Sequence, residues 1–141
     1  MGRMTKDEVC CLGRVPFAIF LLVSAADGKF QKKELVAFLE CIKSSGDETI
    51  REAMVIAKVR ADEVIAELAE DVDGALPMVE EASTIIDERL TLKEGVRVKR
   101  TLFNAARATA RASGGGWFGL GAKIGHEERK ALKQISDALG L

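Results

Sequence analysis

The stretch Ala25-Ala26-Asp27-Gly28-Lys29-Phe30, leading into Glu34, decides the fold. An apolar run enters it, an Asp-Gly pair turns the chain, and an amphipathic run leaves it. Asp and Gly are turn residues for separate reasons: Asp bonds its own backbone, and Gly tolerates backbone angles closed to other residues. On the far side, Leu35, Phe38, Leu39 and Ile42 recur at i, i+3, i+4 and i+7, the spacing of one helical face. The corner therefore joins two helices.

The run before the corner, residues 15–26, holds Ser24 as its one polar side chain. A helix apolar nearly all round belongs at the centre of a bundle. A run of that length is too short to span a membrane, which takes about 20 residues. It has the length of a signal-peptide core, but Asp7 and Glu8 precede it and it continues straight into the corner. The sequence thus predicts a buried helix and a cytoplasmic protein.

Outward from the corner, the same periodicity predicts helices over residues 6–12, 16–26, 32–44, 48–57, 62–72, 77–90, 92–112 and 126–139. Thr5 and Glu8 form a candidate capping box for the first. Gly13 would end that helix, and Pro16 would sit in the first turn of the next. Asp47 would cap the helix that follows Ser45-Gly46, and Gly140 would stop the last. No alternating pattern of the strand type occurs. The expectation is an all-α, single-domain bundle of about seven helices.

Composition agrees. The chain has 141 residues, of which 48% are apolar and 30% charged. Such a chain can bury a core without disulfides or metal. The three cysteines, Cys10, Cys11 and Cys41, are odd in number and lack CxxC spacing, which suits reduced thiols. With the single His126, they are too few and too scattered for a zinc site. Net charge is −1, and no nucleic-acid module is present, so no nucleic-acid partner is expected. Charge is nonetheless segregated: residues 61–88 carry ten acidic side chains and no basic one, while the next helix carries Lys93, Arg97, Lys99, Arg100, Arg107 and Arg111. These are either solvated faces that attract each other across the bundle, or docking surfaces.

A fainter copy of the corner lies near the C-terminus, in Lys123-Ile124-Gly125-His126-Glu127-Glu128. Setting Glu34 on Glu128 brings Lys29 onto Lys123, Phe30 onto Ile124 and Phe38 onto Leu132. Two helical hairpins of similar design follow, an approximate internal repeat. Gly121 stands where Asp27 would be, so the copy is incomplete.

Numbered as a calcium loop, Asp27 falls at position 5, Gly28 at 6 and Glu34 at 12. Val23 and Ala25 occupy the places of the first ligands, so this is not an EF-hand. Two readings stay open. A Glu three residues into a helix reaches back to an N-terminal amide and favours the helix dipole. Alternatively, Asp27, Glu34 and Glu128 converge between the hairpins on a divalent ion, with calcium or magnesium favoured over zinc by an all-oxygen donor set. His126 is a marginal further ligand.

The segments AADGKFQKKELVAF (25–38), AARATARAS (105–113) and KIGHEERKALKQISDALGL (123–141), around acidic middle helices, resemble the TerB family of tellurite-resistance proteins. The resemblance covers about residues 15–141. It implies a seven-helix bundle with internal pseudo-symmetry and a non-enzymatic, cytoplasmic stress-resistance protein. It also implies metal binding through acidic residues, and assembly with a protein partner at the membrane. Asp27, Glu34 and Glu128 match the family motif, whereas Gly121 departs from it.

The glycine-rich stretch 113–121 is not a phosphate-binding Walker loop, because no Gly-Lys-Ser/Thr closes it. Its Trp117 and Phe118 either tuck over the bundle or anchor a partner or membrane surface. No serine–histidine or cysteine–histidine arrangement supports an enzyme. The alternative to a metal-binding protein is an interaction scaffold that docks through the acidic helices or the Trp117 loop, and a homodimer stays open.

Overall fold

The computed structural model of the protein describes residues 4–26, 32–113 and 125–141. They form seven α-helices: α1 (Lys6–Ala26), α2 (Lys32–Ser44), α3 (Thr49–Ile56), α4 (Ala61–Ala69), α5 (Ala75–Arg89), α6 (Leu92–Ser113) and α7 (His126–Leu139), with a 3-10 turn at Val72–Gly74. No strand occurs among the described residues. This is the all-α bundle that the periodicity predicts.

The central element is α1. Leu12, Val15, Phe17, Ile19, Phe20 and Val23 are all buried, and α1 packs against α3, α4, α5, α6 and α7. By length and composition it could cross a membrane, with a mean hydropathy of 1.8, yet 72% of that stretch is buried inside the bundle. A helix surrounded by other helices needs no polar face, which explains its composition.

Two helices expected at residues 6–12 and 16–26 are one. Gly13 does not end a helix. It lets α3 approach: a Cβ there would stand 2.9 Å from the Ala53 carbonyl oxygen and 3.0 Å from Val59 Cγ2. Pro16 lies inside α1, where it removes one backbone hydrogen bond. The packing of the buried side chains around it offsets that loss. The start of α1 is as expected, with a reciprocal capping box. Thr5 N donates to Glu8 Oε1 at 2.8 Å, and Glu8 N donates to Thr5 Oγ1 at 3.1 Å. Thr91 and Glu94 repeat the box at the start of α6. Asp47 Oδ1 accepts the Thr49 amide ahead of α3 at 3.2 Å. Gly46 and Gly140 follow α2 and α7 at φ 81° and 74°, the left-handed conformation that ends many helices.

The hairpin partners differ from the sequence expectation. α2 lies chiefly against α6, and touches α1 far less. One link to α1 is the pair Phe20–Phe38, with ring centroids 5.7 Å apart, in the edge-to-face arrangement that aromatic quadrupoles favour. The corner 27–31 and the stretch 114–124, on which the internal repeat rests, lie outside the described residues.

Candidate functional site: one end of the bundle

Glu34 is in the first turn of α2 and is fully buried, and Glu128 is in the first turn of α7 at 5% exposure. The helix directions bring them to the same end. Cys41, Ser44 and Ser45, at the end of α2, share a groove with Leu92 through Asn104 of α6, so α2 and α6 run antiparallel. Gly140, at the end of α7, lies beside Lys99 of α6, so α7 and α6 are antiparallel as well. The starts of α2 and α7 therefore both lie toward the C-terminal end of α6. The end of α1 is there too, because Ser24 Oγ donates to Glu34 Oε2 at 3.0 Å.

Helical register explains the burial of Glu34. It occupies the same stripe as Phe38 and Ile42, at i, i+4 and i+8, and that stripe faces the core. Glu128 likewise shares its stripe with Leu132 and Ile135. Carboxylates are seldom so deeply buried without partners or a metal. Ser24 supplies one partner for Glu34. For Glu128, the Gly125 amide donates to Oε1 at 3.1 Å, which is the helix-capping role foreseen for it.

Of the sequence-derived candidates, Asp27, Trp117 and Phe118 lie outside the described residues. His126 is exposed at the start of α7. Among the described residues no group of three His, Cys, Asp or Glu side chains gathers in a way that could hold a metal. Glu34 and Glu128 offer hard oxygen donors of the kind calcium and magnesium take. A shell of six or more oxygens needs further donors, and Asp27 is the acidic residue adjoining this end in sequence.

The cysteines lie elsewhere. Burial, reinforced by Glu81 and Cys10, pushes the Cys11 thiol up to about 12, and burial also raises Cys41. Neither is a thiolate nucleophile at neutral pH.

A second feature was not foreseen as a site. The groove between α2 and α6 has a volume of about 810 Å³. Its apolar lining includes Cys41, Leu92 and Val96, and its basic lining is Lys93, Arg97 and Arg100. The i, i+4, i+7 spacing of these three cations was the available signal. In the sequence these three stand undistinguished among the basic residues of that helix, with Lys99, Arg107 and Arg111.

The fold thus defines a single class, an all-α bundle with two buried carboxylates at one end. Comparison with protein-family models, curated proteins and solved structures finds no match.

Proposed function

We propose that this is a TerB-like, non-enzymatic stress-resistance protein, of the kind associated with tellurite, which acts in the cytoplasm. It holds a divalent cation, calcium or magnesium, at the end of the bundle through Glu34 and Glu128, completed by Asp27. The observation that carries this reading is the placement of two buried carboxylates from separate helices at one end of the fold. A cation there would tie the start of α2 to the start of α7. Loading would then stiffen that end, and Trp117 and Phe118, in the glycine-rich stretch that precedes α7 in sequence, would serve a protein partner at the membrane.

Calorimetric titration of the full chain with calcium, magnesium, manganese and zinc tests the reading. Saturable binding of calcium or magnesium is expected, weakened at least tenfold in both Glu34→Gln and Glu128→Gln. No heat and no rise in melting temperature with any of the four ions would overturn the metal assignment.

The exposed carboxylates of α4 and α5 favour a second reading, an interaction scaffold that needs no metal. In that case partner binding is indifferent to chelators.

A further inference from the structure

Among the described residues the segregated charges meet in one ion pair, Lys99–Asp87, and otherwise do not neutralise one another within the chain. The acidic segment makes few bonds to α6. Lys99–Asp87 joins α5 to α6 at 2.7 Å, Glu67 pairs with Arg14 of α1, and exposed Arg60 pairs locally with Glu63 at 3.4 Å and Asp62 at 3.9 Å. Among the described residues no ion pair engages Lys93, Arg100, Arg107 or Arg111, and none engages Glu70, Asp71, Glu80 or Glu81. Topology is the cause. α4 packs against α1 and the 3-10 turn, whereas the basic groove lies between α2 and α6. Opposite charges on different sides of the molecule cannot meet in one copy.

Leu92 stands 86% exposed beside Lys93 at the mouth of that groove. A large apolar side chain flanked by unpaired cations suits a surface that is itself acidic and lightly apolar. The outer face of α4 has this character: Glu63, Ala66 and Glu70 recur at i, i+3 and i+7, all exposed. The alanine allows close approach, and the two carboxylates flank it.

We propose that the basic groove between α2 and α6 receives the acidic α4 face of a second copy of this chain. Leu92 packs on Ala66, while Lys93 and Arg100 meet Glu63 and Glu70. The two surfaces differ, so the contact is head-to-tail and each added copy leaves one groove and one acidic face open. Assembly is therefore graded by concentration. It weakens with salt, because exposed charges are screened over about 10 Å at about 0.1 M. The contact is independent of the buried carboxylates, so loss of metal binding leaves it unchanged.

The test is sedimentation of the full chain over rising concentration, at about 0.02 M and about 0.5 M salt. Two variants accompany it: Lys93→Glu with Arg100→Glu, and Glu63→Lys with Glu70→Lys. All four positions are exposed, and circular dichroism confirms that both variants fold. Wild type is expected to grow in mean mass with concentration at low salt and to return to monomer at high salt. Each variant alone should associate at least tenfold more weakly. Mixed in equal amounts, they should recover open-ended growth with the two variants alternating, since the reversed groove of one fits the reversed face of the other and the two unaltered surfaces fit each other. A wild type that stays monomeric throughout at low salt overturns the proposal. So does an assembly that salt or the variants leave unchanged, or a wild type that closes at two copies. Capture of an acidic partner helix by a monomeric wild type would assign the groove to that partner instead.

Discussion

Gly13 and Ala53 lie so close that a Cβ on the glycine would stand 2.9 Å from the Ala53 carbonyl oxygen. The obstacle is backbone on α3, which cannot swing aside like a side-chain tip. Gly13→Ala should therefore destabilise the fold, although alanine favours a helix interior by roughly 0.5–1 kcal/mol. The net loss should be about 1–3 kcal/mol, as for other overpacked sites, read as a fall in the urea midpoint. A gain in stability would show that α3 is not seated on α1 at this point.

Ser24 and Glu34 form the hydrogen bond that joins the end of α1 to the start of α2. Ser24→Ala takes a donor from a buried carboxylate, and bonds of this kind are worth about 1.5–3 kcal/mol. The expected result is a loss of that size by chemical denaturation. Divalent binding, where present, should be altered as well, because the same carboxylate serves both.

The capping boxes make stability depend on pH. The Thr5 backbone amide, assisted by Arg89, holds Glu8 below its ordinary value of 4.5, and the Thr91 amide does the same for Glu94. A carboxyl group that is lowered in the folded state binds its proton more readily when unfolded. Its contribution is complete above the unfolded value and disappears as pH falls through the folded one. The melting temperature should thus decline below about pH 4.5, and Glu8→Gln and Glu94→Gln, which remove the titrating groups, should flatten the decline. Thr5→Ala and Thr91→Ala keep the amides but lose the hydroxyl caps, and each should cost about 1 kcal/mol at neutral pH, typical of a lost cap.

Cys11 should resist alkylation in the native protein at pH 8, since its thiol is pushed up to about 12 and only the thiolate reacts. Peptide mass spectrometry after iodoacetamide treatment should find it largely unmodified until denaturant is added. Rapid native labelling of Cys11 would contradict its packing against Met78.

Much of the fold was legible in the sequence because helical periodicity and cap chemistry are local. Thr5 with Glu8, Asp47 before α3 and Gly140 after α7 are resolved within a few residues of chain. Gly13 and Pro16 were misleading for the opposite reason. Both are helix punctuation in isolation, and the meaning of Gly13 comes from α3, some forty residues away. The placement of α2 on α6 was equally remote. For the candidate site, sequence spacing singled out Glu34 and Glu128, but their depth follows from stripes shared with Phe38 and Leu132. Ser24 was marked only as the lone polar residue in an apolar run. The groove at Lys93, Arg97 and Arg100 was hidden because its other wall belongs to α2.

The central position of α1 has a consequence for biosynthesis. α1 leaves the ribosome about a hundred residues ahead of α7, which at about 5–20 residues per second amounts to roughly 5–20 seconds. During that interval the chain's most apolar helix is without several of the neighbours that will enclose it. Its hydropathy is then that of a membrane segment, so a nascent chain of this protein is a natural client for a ribosome-associated chaperone.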